Sequence, residues 1–160
     1  MEIREARRED CKQIGKYVQE LANFEKMPDG PKISHEVLER DGFDTNPPLF
    51  KAIVAESDGK IIAHAIYYYT YCTWEGRSMF LDELYVTPEY RNRGFGGKMF
   101  DAVARKAAEE KCARLDFSVL NWNPAQGMYK RKGAIDLTAA EAWHLHRLSG
   151  EALKKYVNSS

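Results

Sequence analysis

The spacing of hydrophobic residues changes several times along the chain, and each change predicts a new element. Residues 10–24 carry apolar side chains three or four positions apart, which is the spacing of an amphipathic helix. Residues 50–86 instead contain three runs rich in β-branched and aromatic residues, and turn residues separate them. This pattern predicts an antiparallel meander of three strands. A second amphipathic helix is predicted over residues 95–110.

The remaining predicted elements are shorter. Strands are predicted at residues 3–6, 50–56, 61–71, 79–86, 114–119 and 142–148, and helices at residues 34–40, 124–131 and 151–157. Asp41 and Gly42 are expected to end the helix at 34–40. This order predicts an α+β fold with a mixed, mostly antiparallel sheet flanked by helices. No repeat or linker divides the sequence, so residues 1–160 are expected to form one domain.

Composition excludes several classes of protein. The 160 residues are 44% hydrophobic and 30% charged, as in a globular domain, and a formal net charge of zero argues against a nucleic-acid partner. The sequence has no long apolar run and no apolar signal region at its amino terminus. We therefore expect a cytoplasmic protein without a membrane partner. Cys11, Cys72 and Cys112 are widely separated, so we expect reduced thiols and no metal site.

The junction between the strand ending at Val86 and the helix starting at Phe95 carries the clearest chemical signal. It is basic and rich in glycine, with the sequence Arg-Asn-Arg-Gly-Phe-Gly-Gly. A turn of this kind leaves backbone N–H groups unpaired at the positive end of the helix dipole, where a phosphate or pyrophosphate binds well. It is not a P-loop, because Met99 follows Gly97-Lys98 where Ser or Thr is needed. Met99 also stands where a dinucleotide fingerprint needs its third glycine.

The pattern Arg91-x-x-Gly94-x-Gly96 resembles the acetyl-CoA pyrophosphate loop of the GCN5-related N-acetyltransferase superfamily. Longer motifs resemble one branch of it, the diamine (spermidine/spermine) N-acetyltransferases and the thialysine Nε-acetyltransferases. They are Asp41-Gly42-Phe43, Tyr67 to Tyr71, Trp122-Asn123, Tyr129-Lys130-x-x-Gly133-Ala134 and Asp136-Leu137-Thr138-x-x-Glu141-x-Trp143. Together they cover nearly the whole chain, and the tail from Trp143 to Ala152 is more similar to the thialysine enzymes.

The resemblance implies a sheet that splays at a β-bulge, with acetyl-CoA wedged between the strand containing residues 84–86 and the strand containing residues 116–120. The N–H group of Val86 or of Leu84 would stabilise the developing oxyanion. Relatives have one more residue between Asn123 and Tyr129, which leaves the register of Pro124 open. The implied cofactor-binding residues are Leu84, Tyr85, Val86, Arg91, Asn92, Arg93, Gly94, Phe95, Gly96, Gly97, Asn123, Pro124 and Lys132.

Acetyl transfer to an amine needs a proton acceptor for the amine and a proton donor for the departing thiolate. Tyr129 matches the family's tyrosine acid. Asp82 occupies the strand position of the family's glutamate base, and Glu83 is the alternative because the order of the two acidic residues is reversed. Since neighbouring strand residues point to opposite faces, only one of this pair is expected to face the amine.

An acidic pocket is expected for an amine substrate. The implied substrate-binding residues are Phe24, Glu25, Asp82, Asp116, Phe117, Ser118 and Glu141. Polyamine enzymes carry an aspartate where this chain has Cys72, so a substrate with one side-chain amine, such as thialysine or a lysine analogue, is favoured over a polyamine. Members of this branch are homodimers, and a homodimer is expected here. The alternative of another class is a module that binds acyl-CoA without turnover.

Overall fold

A five-stranded sheet organises the first part of the chain in this computed structural model, which describes residues 1–159. Its strands, in spatial order, are β1 (Glu2–Glu5), β2 (Lys51–Ser57), β3 (Lys60–Cys72), β4 (Gly76–Val86) and β5 (Leu115–Phe117). The first four pair antiparallel, whereas β5 runs parallel to β4. The predicted meander and the predicted mixed α+β fold are therefore confirmed.

Six α-helices accompany the sheet among the described residues. They are α1 (Cys11–Phe24), α2 (His35–Glu39), α3 (Phe95–Glu109), α4 (Gln126–Arg131), α5 (Leu137–Glu141) and α6 (Gly150–Asn158). None of them is long and apolar enough to cross a membrane. Short 3₁₀ turns at Arg8–Asp10 and Pro88–Tyr90 precede α1 and α3. Each of the helices predicted from periodicity is present within a few residues of its predicted bounds, and α5 was not predicted.

Two local predictions are wrong. Residues 142–148 form no strand, because an alternating pattern becomes a strand only where its backbone groups pair with a neighbour. No described strand pairs with them. Asp41 and Gly42 do not end a helix, since the chain continues as a π-helical segment at Arg40–Asp44. Gly42 instead allows close packing, because a Cβ atom there would lie 2.7 Å from Cζ of Phe50.

The described residues group into two compact units, Met1–Leu120 and residues 121–159. In the first unit, α1 and α2 cover one face of the sheet. The core on that face comprises Cys11, Ile14, Leu38, Ala52, Val54 and Ile66. Helix α3 packs on β3 and β4, and the ring of Phe100 meets that of Phe117 edge-on at 5.4 Å. Burial of these side chains supplies most of the driving force for folding of this unit.

The sheet is interrupted at one point in β4. Glu83 lies opposite Ile66 and Leu81 lies opposite Tyr67, so Asp82 is an extra residue and forms a β-bulge. Pairing between β4 and β5 runs from Met79 only to Leu81, where Phe117 is the partner. The two strands then separate. The predicted bulge and splay are confirmed, and β5 is shorter than the predicted strand at 114–119.

The second unit contains α4, α5 and α6 and exposes many apolar side chains. Asp136 caps α5 by accepting a hydrogen bond from the backbone N–H of Ala139 at 3.2 Å. Large side chains at least two-fifths exposed in this unit include Trp122, Ile135, Trp143, Leu145, Leu148, Tyr156 and Val157. An apolar surface of this extent is typical of a protein–protein interface.

Candidate active site

Two neighbouring carboxylates, Asp82 and Glu83, lie at the bulge of β4. Glu83 is opposite Ile66, and its side chain reaches His64 on the same face of the sheet. Burial, followed by the negative charge of Asp82, raises the pKa of Tyr68, which lies on the same face as Ile66 and His64 because side chains alternate along β3. The Asp82 carboxylate is therefore close enough to influence Tyr68, and its own pKa is influenced by Glu83. The extra residue breaks strict alternation at this point, and the expectation that only one of the two acids faces the amine stays a prediction.

Asp82 is the less constrained member of the pair. Its residue is exposed, yet partial burial of the carboxyl group, followed by the negative charge of Glu83, raises its pKa. Among residues 1–159 its carboxylate forms no side-chain hydrogen bond or ion pair, whereas Glu83 Oε2 lies 3.1 Å from Nε2 of His64. Asp82 is therefore the less restrained of the two carboxylates among the described residues.

Glu25 joins this acidic group from the end of α1. Burial raises its pKa, and the charge of Glu83 raises it further. The structure therefore brings together two predicted substrate residues, Glu25 and Asp82, with the alternative base Glu83. Three carboxylates that lie close enough to influence one another favour binding of a cation, because the positive charge offsets the repulsion between the carboxylates.

His64 is the functional candidate that the sequence did not reveal. It is fully buried in β3 and is the nearest polar partner of Glu83. Its sequence context, Ile-Ile-Ala-His-Ala-Ile, is an apolar strand in which a histidine needs a buried hydrogen-bond partner. A histidine within an otherwise apolar strand was therefore the sequence feature that could have identified this residue as a functional candidate.

The basic turn before α3 is shaped as an anion site. Gly94 caps α3 with a φ of 79°, a left-handed conformation that favours glycine, and Asn92 has a φ of 59°. No heavy atom lies within 4 Å of the place a Cβ atom of Gly94 would occupy. The N-terminus of this 15-residue helix is therefore open to a ligand.

The backbone edge of β4 beyond Leu81 has no partner strand on the β5 side among the described residues. This edge comprises Leu84, Tyr85 and Val86. The side chain of Tyr85 is already engaged on the α1 side of the sheet, since its hydroxyl donates a hydrogen bond to the Glu20 carboxylate and its ring stacks on that of Tyr17 at 5.0 Å. Only the backbone of Tyr85 is left to pair with an extended ligand.

The bulge, the splayed strands and the open N-terminus of α3 lie in the same part of the chain as the glycine-rich turn. The similarity to known proteins covers more of the sequence than this part. Residues 16–134 match the model of the acetyltransferase (GNAT) family. The chain belongs to this family. The predicted superfamily and the predicted enzyme class, an N-acetyltransferase, are confirmed.

Relatives and solved structures agree with this assignment. The chain is similar to thialysine N-epsilon-acetyltransferase of Bos taurus, with 42% identity over 96% of this chain and 95% of that protein. It is also similar to human spermidine/spermine N(1)-acetyltransferase-like protein 1, with 37% identity over 95% of this chain but 23% of that protein. An integron cassette protein of V. cholerae shares the fold, with a TM-score of 0.77, 22% identity and coverage of 98% and 96% of the two chains.

Two predicted cofactor-binding residues of this acetyltransferase, Arg91 and Arg93, already contact other groups of the protein. Arg91 donates a hydrogen bond from Nε to the carbonyl oxygen of Val86 at 2.8 Å, and its guanidinium lies over the ring of Tyr85 at 5.4 Å and that of Phe24 at 5.2 Å. Arg93 lies over the ring of Tyr90 at 5.5 Å. Arg91 therefore braces the end of β4 instead of extending from the turn as a free charge.

The predicted substrate residues of β5 end beside the bulge, because Phe117 pairs with Leu81, the residue before Asp82. Asp116 accepts a hydrogen bond from Nε of Arg114 at 2.8 Å, which neutralises its charge locally. Phe117 packs against Phe100, and Ser118 follows the end of the strand.

The second unit of the acetyltransferase carries the other predicted site residues. Tyr129 lies in α4, and burial raises the pKa of its phenol. Asn123 accepts a hydrogen bond from the backbone N–H of Ala125 at 2.9 Å on the approach to α4; Pro124 lies between them, and Lys132 follows the helix. At the end of α5, Glu141 accepts a hydrogen bond from Nε1 of Trp143 at 2.9 Å.

Cys72 ends β3 at the hairpin to β4, opposite Gly76. Backbone N–H groups of Trp74 and then Glu75 lower the pKa of its thiol. This end of the hairpin therefore favours a negative charge at position 72. Residues 1–159 contain no group of three or more His, Cys, Asp or Glu side chains arranged to hold a metal ion.

Proposed function

We propose that this acetyltransferase transfers the acetyl group of acetyl-CoA to the side-chain amine of thialysine or of a lysine analogue. The observation that carries the proposal is the acidic group at the bulge, where Asp82 and Glu83 are adjacent and Glu25 joins them. The name of the Bos taurus relative, a thialysine N-epsilon-acetyltransferase, supports the substrate.

Acetyl-CoA fits the residues present. Enzymes of the GNAT family use this cosubstrate, and when bound it supplies an activated acetyl thioester. The unpaired edge of β4, comprising Leu84, Tyr85 and Val86, would hold the amide-bearing arm as an added strand. The N–H groups from Asn92 to Gly97 would bind the pyrophosphate, because they lie at the open N-terminus of α3.

The acidic group would bind the amine and remove its proton. A lysine-like amine is neutral in roughly one molecule in 2,500 at pH 7, which adds about 4.6 kcal/mol to the barrier. Asp82 reduces this cost by accepting the proton, directly or through a water, and its raised pKa makes it a better base than an ordinary aspartate. Glu25 and Glu83 would hold the ammonium group before deprotonation.

Tyr129 would act as the acid for the departing thiolate, the role that the family resemblance gives it. Its phenol stays protonated at neutral pH because burial raises its pKa. The reference pKa of a phenol, about 10, lies above that of a thiol, about 8.5, so transfer of the proton to sulfur is moderately uphill, and burial of Tyr129 adds to this cost. Replacement of Tyr129 by Phe removes this proton while preserving the ring.

A polyamine is the second candidate substrate. The human relative whose name includes spermidine and spermine supports it. Cys72 argues against it, because a polyamine has additional cationic groups and this chain lacks the carboxylate that polyamine enzymes carry at that position.

We also propose that the protein is a homodimer. The apolar side chains exposed in the second unit, among them Trp143, Leu145 and Leu148, support an interface with a second copy. A molecular mass near twice the 18.4 kDa of one chain in sedimentation equilibrium would support the dimer, and a single species at the monomer mass would refute it.

Release of CoA from acetyl-CoA, with thialysine, lysine, spermidine and putrescine supplied separately, tests the function. Fast turnover with thialysine and little with spermidine supports the proposal, and preference for spermidine favours the polyamine alternative. The Tyr129→Phe variant should bind acetyl-CoA normally but lose about tenfold to a hundredfold in kcat. Binding of acetyl-CoA with no turnover of any amine would favour a non-catalytic binding module.

A further inference from the structure

His64 is held in a closed environment on the α1 side of the sheet. Its residue has no exposed surface, and its ring stacks parallel to that of Tyr17 at 6.1 Å, with an interplanar angle of 3°. The ring of Tyr85 lies on another side at 6.0 Å. On the neighbouring strand β2, the residue opposite His64 is Val54, which is fully buried. The imidazole therefore has no route to bulk water.

Among residues 1–159, the carboxylate of Glu83 is the one polar group within hydrogen-bonding distance of the imidazole. Nε2 lies 3.1 Å from Oε2 of Glu83, while Nδ1 is buried and has no hydrogen-bond partner among the described residues. Because a carboxylate accepts hydrogen bonds, the proton must be on Nε2. A proton on Nδ1 would be buried without an acceptor, which carries a desolvation cost. The surroundings thus fix the tautomer that donates to Glu83.

The charged and titratable groups facing His64 come from two elements. Helix α1 contributes Tyr17 and Glu20, and β4 contributes Glu83 and Tyr85. Glu20 accepts the hydrogen bond of the Tyr85 hydroxyl, so it is already engaged. Glu83 is therefore the carboxylate for which His64 is the donor.

Fixing Glu83 has consequences for both neighbouring acids. The negative charge of Glu83 raises the pKa of Asp82 and of Glu25, in each case after the effect of burial. An unrestrained glutamate would spread its charge over several rotamers and weaken this effect. The position of one carboxylate oxygen, set by His64, thus influences the proposed base and the proposed amine-binding acid.

We infer that His64 is a positioning residue of the amine site, whose Nε2–H group fixes the Glu83 carboxylate beside Asp82 at the β-bulge. The inference rests on the proposed function, since it assigns His64 a part in binding and deprotonating the amine. His64 has no contact with solvent and acts through Glu83, so it is not itself a catalytic residue.

Two substitutions separate the hydrogen bond from the packing. His64→Phe keeps a flat ring between Tyr17 and Tyr85 but removes the donor. His64→Gln keeps a donor near the position of Nε2 and removes the ring. Thermal melting and acetyl-CoA binding, measured on both variants, show whether each is folded.

We expect His64→Phe to raise the KM for the amine about tenfold, the size expected for loss of one hydrogen bond to a charged group. The acidic limb of its kcat/KM profile should move to lower pH, because Asp82 is no longer beside a fixed negative charge. His64→Gln should restore both values to within about threefold of the wild type. If His64 had only a structural role, the two substitutions would not shift the pH profile and the KM in this way.

Several results would overturn the inference. One is a folded His64→Phe variant with wild-type KM and pH profile, and another is a His64→Gln variant as impaired as His64→Phe. If His64→Phe does not fold, the ¹⁵N spectrum of wild-type His64 decides, since a proton on Nδ1 instead of Nε2 contradicts the proposed hydrogen bond. Failure of the proposed function is distinct, because it would appear in the wild type as no turnover of any amine. That outcome would also remove the role of His64 in the amine site.

Discussion

Nε of Arg91 donates a hydrogen bond to the carbonyl oxygen of Val86, 2.8 Å away, and this contact fixes the end of β4 against the turn that follows it. The same guanidinium covers the rings of Tyr85 and Phe24. The arginine of the Arg-x-x-Gly-x-Gly pattern thus joins the strand edge to the helix α1 side of the site. Arg91 thus holds the end of the strand edge at which we propose that the cofactor binds.

Replacement of Arg91 by Ala should therefore destabilise the fold as well as weaken acetyl-CoA binding. The variant loses a hydrogen bond to a partly buried carbonyl and two cation–π contacts, and we expect a decrease of about 1–3 kcal/mol in the free energy of unfolding. Urea unfolding measures it. Arg93→Ala is the matched control, because Arg93 covers only the ring of Tyr90 and should change stability by less than about 0.5 kcal/mol. Equal losses in the two variants would contradict the bracing role of Arg91.

The open N-terminus of α3 gives a second prediction. Gly94→Ala places a Cβ atom in the open space where we propose that the pyrophosphate binds, and it forces alanine into a left-handed conformation. We expect acetyl-CoA affinity to fall at least about tenfold by calorimetry, together with a loss of about 1 kcal/mol of stability.

Gly59→Ala provides the control for Gly94→Ala. Gly59 lies in the hairpin between β2 and β3, has a φ of 72°, and is likewise surrounded by open space. The two variants should lose similar stability, since they carry the same backbone strain. Only Gly94→Ala should lose affinity, and a comparable loss of affinity in Gly59→Ala would show that strain alone explains the effect.

Asp82→Asn should reduce activity while increasing stability at neutral pH. The variant removes the proposed base, so kcat should fall about a hundredfold or more, whereas Glu83→Gln should retain more of kcat and lose mainly in KM. Because the pKa of Asp82 is raised in the folded protein, ionisation of this group opposes folding above its ordinary pKa. The stability gained by Asn should therefore be present at pH 7 and should disappear as the pH falls below about 3.9.

Unfolding of wild type and Asp82→Asn in urea at several pH values measures this dependence. A gain in stability that persists at low pH would indicate that Asn improves packing and that the charge of Asp82 does not destabilise the folded protein. An Asp82→Asn variant with full kcat would instead transfer the role of base to Glu83.

Local patterns were enough to predict most of the fold. The helix α1 and the meander of β2, β3 and β4 follow from spacing along the chain, and their bounds differ from the prediction by few residues. The strand predicted at residues 142–148 failed because a strand depends on a partner that local sequence does not specify. Alternation failed at Asp82 for a similar reason, since a bulge is a property of two paired strands.

Resemblance to the family predicted the candidate site residues that lie in the family's motifs. The prediction was incomplete for residues outside those motifs. Asp82, Glu25 and Gly94 were identified from resemblance, and the structure adds the electrostatic coupling of the two acids through Glu83. His64 was missed because its importance depends on a contact across two strands. A buried polar residue acquires a role only through the partner that satisfies it.

Cys72 gives the last prediction, which concerns substrate choice. Cys72→Asp introduces a carboxylate at the hairpin, where the backbone N–H groups of Trp74 and Glu75 already favour a negative charge. A new carboxylate should improve kcat/KM for spermidine about fivefold to tenfold relative to thialysine, since the longer substrate has another ammonium group to pair. Cys72→Asn is the control, because it matches Asp in size and lacks the charge. An increase in both variants, or in neither, would mean that charge at position 72 does not decide between an amino-acid amine and a polyamine.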